Sequence, residues 1–165
     1  MTSEFSLIFE GIIKDWMMID IGPKIDPAQH RNQKNTSTEH HLVKLMDKIL
    51  KLIDQHPNRS AVIATMLDWS SAFDRQDPTL AIKKFLEMDV RPALVPMLVS
   101  YLTDREMQVK YNGKYSSTHR LPGGGPQGTL IGLIEYLVQS NDNADCVEPD
   151  MRFEYVDDLT VLELV

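Results

Sequence analysis

The sequence predicts an α/β fold in which a small antiparallel sheet is backed by helices, and three observations carry that expectation. Apolar residues recur at helical spacing through the first third of the chain. Residues 61–67 form an almost unbroken apolar run of strand length, and two hairpins are marked, one at Asn112-Gly113 and one around Asp157-Asp158.

The elements follow in order. From Phe5 onward, Ile8, Phe9, Ile12, Ile13 and Trp16 form the packing face of a helix that Gly22-Pro23 ends. Residues 26–35 are polar and read as a loop. Thr36-Ser37-Thr38 offers capping hydroxyls to a second helix, whose stripe of Leu42, Leu45, Met46, Ile49, Leu52 and Ile53 is expected in the core and which closes near Pro57. The run 61–67 suits a strand buried on both faces, so Asp68 stands at the end of a central strand. Asp77-Pro78 reads as an N-cap with proline at the first helical position, opening a helix with Leu80, Ile82, Phe85 and Leu86. A further helix spans about 92–102, with Pro96 in its first turn or at a kink. Asn112-Gly113 joins 107–111 to 114–117 as an antiparallel pair. The stretch Leu121-Pro122-Gly123-Gly124-Gly125-Pro126-Gln127-Gly128 is a loop before an apolar helix over about 129–138. A polar connection, 141–150, leads to the last hairpin, with strand formers on both sides of two acids.

Composition narrows the class. A chain of 165 residues that is 42% hydrophobic holds one domain with a core, and is neither disordered nor fibrous in type. Cys146 is the only cysteine, so no internal disulfide forms and no Cys/His spacing suits structural zinc. An intracellular, reducing setting is expected. No apolar run approaches the length of a membrane span, and Glu4 and Glu10 break the layout of a signal peptide, so no membrane partner is expected. His40-His41 are expected to cap the second helix and face solvent. The formal net charge of −7 argues against the whole surface cradling nucleic acid, although a metal site would concentrate part of that acidity.

Two adjacent carboxylates at a hairpin tip are electrostatically awkward unless a cation sits on them, and a third acid at the same point would complete a magnesium site. Leu67-Asp68-Trp69-Ser70-Ser71-Ala72-Phe73-Asp74, then Gly124-Gly125-Pro126-Gln127-Gly128-Thr129-Leu130, then Tyr155-Val156-Asp157-Asp158 stand in a fixed order. Together they resemble palm motifs A, B and C of the reverse transcriptases encoded by non-LTR retrotransposons. Gln29 to His40 resembles the loop and helix of the fingers, so the likeness covers nearly the whole chain. Any one motif alone is a weak signal, whereas three in order are specific.

The resemblance implies a polymerase palm with a partial helical fingers region, residues 1–60 being fingers-like and 61–165 palm-like within one domain. It implies an RNA-directed DNA polymerase that takes an RNA template, a DNA primer and dNTP. Two Mg2+ ions, or Mn2+, would stabilise the attacking and leaving oxygens of an in-line displacement from about 3.5–4 Å apart. By resemblance Asp68 and Asp157 hold both ions and Asp158 assists at the one that activates the primer 3′-hydroxyl. Phe73 would meet the incoming sugar where a 2′-hydroxyl collides with its ring, with simple packing as the alternative. Gln127 would lie beneath the nucleotide, Pro126 and Gly128 shaping a backbone that approaches it closely. Arg31 and Lys34 resemble basic fingers residues that neutralise the triphosphate, against a reading as ordinary solvated charge, and Asn35 stands where the family more often has glycine.

The matched stretch starts inside the first family motif and stops after the Asp157-Asp158 hairpin, so the expectation is a truncated chain, without a thumb, whose isolated activity is weak or nil. An RNA-dependent RNA polymerase and a non-catalytic retroelement remnant serving as an interaction module are the competing readings.

Overall fold

The computed structural model describes residues 4–29, 37–58 and 61–165. Arg31, Lys34, Asn35 and Thr36 lie outside the described residues. The described elements are, in chain order, α1 (Glu4–Ile21), α2 (Thr38–Gln55), β1 (Val62–Asp68), α3 (Pro78–Glu87), α4 (Val95–Leu102), β2 (Glu106–Met107), β3 (Lys110–Tyr111), β4 (Lys114–Tyr115), β5 (His119–Arg120), α5 (Leu130–Ser140), β6 (Arg152–Tyr155) and β7 (Asp158–Leu164). The architecture is a mixture of helices and small antiparallel sheets. The chain divides into two compact units, one of Met1–Lys24 with Ser71–Ser140, the other of Ile25–Ser70 with Asn141–Val165.

In the first unit the apolar helix α5 is the centre, packed by α1 and α3, while α4 packs on α3. Ile131, Ile134, Leu137 and Val138 are essentially inaccessible, as are Met17, Ile21, Ala81, Phe85 and Leu98. Local chemistry sets the helix starts. The Asp77 side chain accepts from the backbone N–H of Thr79 at 2.8 Å, with Pro78 at N1, as the sequence suggests. Pro96 sits in the first turn of α4, directly after a 3-10 turn at Pro92–Leu94, so it neither breaks nor kinks the helix. Asp20 binds Arg91 through both carboxylate oxygens, at 2.7 and 2.8 Å, and this guanidinium holds its carboxyl down to about 2. Asn112 and Gly113, with φ of 47° and 76°, make the tight turn between β3 and β4 that needs left-handed backbone at both positions.

The packing face of α1 differs from expectation. Ile13, Met17 and Ile21 are buried together with Glu10, whereas Phe5, Ile8, Phe9, Ile12 and Trp16 are exposed. Apolar residues cover more than one side of this helix, so periodicity alone does not select the inward side. Glu10 selects it. Its carboxylate accepts the backbone N–H of Leu130 at 2.8 Å, capping the first turn of α5, and the hydroxyl of Tyr101 at 2.9 Å.

In the second unit β1, β7 and β6 form an antiparallel sheet in that order, with β7 in the middle. Helix α2, capped by Ser37, packs against β6 and β1. Leu45, Leu52, Phe153 and Leu162 make the core, with Ile49, Val62, Met151 and Leu164 against it. Here three expectations need correction. Strand β1 is an edge strand rather than a central one, and from Ile63 to Asp68 its residues are exposed, Met66 to 75%. An apolar run of strand length fits a buried strand, but it does not say how many neighbours the strand has. Leu42, Met46 and Ile53 of the α2 stripe are exposed, the inward side being centred on His41, Leu45 and Leu52. His41 is therefore buried, edge-on to Phe153 at 6.2 Å and tilted against Tyr155 at 5.6 Å, not turned to solvent.

At the head of β6, Arg152 is 7% exposed and its guanidinium gathers the surrounding loops. It donates to Asp26 at 2.5 Å, to the carbonyl of Val147 at 2.9 Å and to that of Ala144. Asp26 in turn accepts the backbone N–H of Ala28 at 2.8 Å, and its own N–H goes to Asn141 at 2.8 Å. Removing one member of such a buried pair strands the other charge, at a cost of about 3–5 kcal/mol. Asp26→Ala is thus expected to lower the urea midpoint by that equivalent with an unchanged slope, whereas Asp145→Ala, at the rim of the same guanidinium and 68% exposed, changes it little.

Candidate functional site

The hairpin β6–β7 turns on Val156 and Asp157, between the paired residues Tyr155 and Asp158. Strand β1 then pairs with β7 so that Asp68 is directly opposite Asp158. Side chains directly opposite in an antiparallel pair lie on the same face, about 4.5–5.5 Å apart at Cβ. The register therefore draws Asp68 and Asp158 together, with Asp157 one residue before. Among the described residues no hydrogen bond or ion pair engages these three carboxylates, and no group of three or more His, Cys, Asp or Glu is closed up as a ready-made ligand set. Three anions brought to one strand end repel one another, so an open arrangement is the electrostatic expectation for the protein by itself. Hard carboxylate oxygens are the donor type that suits magnesium, and in that respect the residues fit the ion.

Val156 carries a φ of +64°, a region that β-branched residues rarely adopt and that costs about 1–3 kcal/mol. It immediately precedes Asp157. Gln29, which the sequence marks only as loop, is 3% exposed and lies along the hairpin, its backbone in a parallel bridge with Glu154. The Glu154 carboxyl is pushed up to about 7, first by burial and then by the neighbouring Asp26 carboxylate.

Phe73, Gln127 and Gly128 belong to the other unit. Phe73 is half-buried and stacks on Tyr136 of α5, ring centres 5.0 Å apart and planes at 29°. The glycine-rich loop is zipped to the segment around Phe73. The N–H of Gly125 donates to the carbonyl of Phe73 at 2.7 Å, that of Gly124 to the carbonyl of Gln76 at 2.8 Å, and Gln127 Nε2 to Asp74 at 2.6 Å. Gly124, at φ +84°, comes so close that a Cβ there would stand 3.1 Å from the Asp74 carbonyl, which is why this position requires glycine. Gly128 also has positive φ, at +75°, and Gln127 is exposed. The loop lines an open groove of about 1150 Å³ with Asp74, Arg75, Arg105 and Met107. Behind the loop, Gln76 and Glu135 are buried, and both amide atoms of Gln76 and Oε2 of Glu135 lack partners among the described residues. A Cβ on Gly125 would fall 1.6 Å from the Gln76 amide oxygen and 3.0 Å from Glu135 Oε2, so the glycine makes room for both.

Neither a family model nor a curated protein matches the chain.

Arg31 and Lys34, the candidates for the triphosphate, lie outside the described residues. Glu10, Gln29, Gln76, Glu135 and Glu154 were not anticipated as site-supporting residues. Only Glu135 left a visible signal, as the one charge in an otherwise apolar helix.

Burial pushes the Glu135 carboxyl up to about 7, opposed by the charge of Arg105. A carboxyl whose folded value exceeds its unfolded one binds protons more tightly in the folded chain, so it favours folding at low pH and opposes it as pH rises from about 4.5 to 7. Glu154 acts in the same direction. Glu135→Gln is expected to be more stable than the parent at pH 8 by roughly 1–3 kcal/mol, with the difference shrinking towards pH 4. Denaturation profiles of the two proteins across that range check it, and a constant difference would contradict it.

Proposed function

We propose that this chain is the partial fingers and palm of a reverse transcriptase of the non-LTR retrotransposon type, and that its chemistry is RNA-directed DNA polymerisation. The observation that supports this most is the register of β1 on β7, which faces Asp68 with Asp158 beside a turn that carries Asp157. Two motifs that stand apart in sequence thus bring their acids to one strand end and its neighbouring turn, while within the other unit the loop bearing Gln127 is hydrogen-bonded to the segment bearing Phe73. Asp68, Asp157 and Asp158 would hold magnesium, which when bound makes the primer 3′-hydroxyl a better nucleophile and neutralises charge on the leaving group. Phe73, fixed by its stack on Tyr136, would exclude a 2′-hydroxyl and so select deoxynucleotides. Gln127, shared with Asp74, would support the nucleotide. Partners on this reading are an RNA template, a DNA primer and dNTP. Among the described residues no helix is long and apolar enough to cross a membrane.

Single-nucleotide incorporation on an RNA template with Mg2+, at high protein concentration, tests the reading. Template-directed dNTP addition that Asp157→Asn reduces by about 10³-fold or more is the expected result, given the share of the barrier that metal-held charge stabilisation carries. Incorporation that is indifferent to Asp157→Asn overturns it, and dNTP and Mn2+ binding that Asp157→Asn leaves unchanged favours a non-catalytic binding module. In the same assay Phe73→Ala is expected to raise rNTP use relative to dNTP at least tenfold, the order of a single steric discrimination. A parent chain that already prefers rNTP would instead indicate an RNA-dependent RNA polymerase.

A further inference from the structure

We propose that Gln29 is a positioning residue for the carboxylate-bearing turn, its side-chain amide holding Val156 in the left-handed backbone that sets the direction of Asp157 and Asp158. The consequence for metal binding rests on the polymerase reading, while the clamp itself does not.

The backbone N–H of Val156 donates to Gln29 Oε1 at 3.0 Å, and Gln29 Nε2 donates back to the carbonyl of Val156 and to Glu154 Oε2, each at 3.4 Å. One amide thus serves both backbone groups of the strained residue. A methyl-bearing residue at φ +64° returns to an ordinary conformation unless its surroundings over-determine it. Gln29 is itself anchored from both sides, since its N–H donates to the Asp26 carbonyl at 3.0 Å and the neighbouring Ala28 carbonyl accepts the N–H of Glu154 at 3.0 Å. Gln29 and Val156 are 3% and 6% exposed, so water does not readily replace the amide. A turn of two residues has no slack, and a flip at Val156 would swing Asp157 away from the strand end where Asp158 faces Asp68.

The test separates positioning from plain packing. Gln29→Met keeps length and burial but loses the amide, and Val156→Gly allows positive φ without strain. Gln29→Met is expected to move the Val156 and Asp157 backbone chemical shifts out of their left-handed pattern. It is also expected to weaken Mn2+ binding, read as paramagnetic broadening at Asp157 and Asp158, by about 10- to 100-fold. The double variant Gln29→Met/Val156→Gly is expected to recover the parental Asp157 shifts and most of the Mn2+ affinity. A double variant worse than Gln29→Met, or a Gln29→Met protein with parental shifts and parental Mn2+ affinity, overturns the proposal. If the parent protein fails to bind Mn2+ at these residues the polymerase reading fails, and the shifts alone then decide the clamp by the same criteria. Should Gln29→Met not fold, Gln29→Glu, which keeps the acceptor and loses the donors, takes its place.

Discussion

The buried ion pair between Arg152 and Asp26 is the constraint on which the sheet-bearing unit depends. A guanidinium with so little exposure needs partners, and its two terminal nitrogens find them in the carbonyls of Ala144 and Val147 and the Asp26 carboxylate, while Nε has none among the described residues. That fixes the irregular connection before β6. Asp26, held in the same place, orders the backbone at Ala28, and Ala28 and Gln29 then run alongside Glu154. The turn that carries Asp157 is thereby supported by a segment more than a hundred residues earlier in the chain. Such pairs often add little net stability over an apolar substitute, but they discriminate strongly against arrangements that leave one charge alone.

The glycine-rich loop has an equivalent support of its own. Backbone hydrogen bonds tie it to the segment around Phe73, Glu10 caps the helix that follows it, and the Gln76–Glu135 pair lies beneath Gly125. Burying a carboxyl with one oxygen unpaired is unfavourable when it is charged, and the rise of its proton affinity to about 7 is the response. Both units therefore place a proton-retaining glutamate, Glu135 in one and Glu154 in the other, behind the segment that bears the candidate site residues.

Much of the fold was legible wherever local chemistry decides it. Asp77-Pro78, Asn112-Gly113, Pro96 and the strand formers around Asp157-Asp158 each specify their element through a cap, a turn or a fixed φ, and each element is present, although the Asn112-Gly113 hairpin is shorter than 107–111 on 114–117, Met107 pairing with His119 instead. What the sequence could not disclose was which side of an element faces inward. The α1 and α2 stripes were read from apolar residues alone, yet Glu10 and His41 point in while Phe5, Leu42 and Met46 point out. That Asp68 belongs with Asp157 and Asp158 was an expectation from the family resemblance, and the register that sets Asp68 opposite Asp158 on an edge strand was not readable from the sequence. The Gln29 clamp was not, since a side-chain amide that binds distant backbone leaves no periodicity and no spacing to read.

Strand β1 has a further consequence for how the protein behaves in a test tube. Its pairing with β7 uses one edge, and Val62-Ile63-Ala64-Thr65-Met66-Leu67 presents the other with no lysine, no proline and no bulge to discourage a second strand. Natural sheets usually blunt such an edge. Among the described residues of this strand the only charged side chain is Asp68, at one end, so colloidal behaviour becomes tied to a single candidate metal ligand. A cation bound at that carboxylate also covers the one charge that the described residues of this strand set against edge-to-edge stacking.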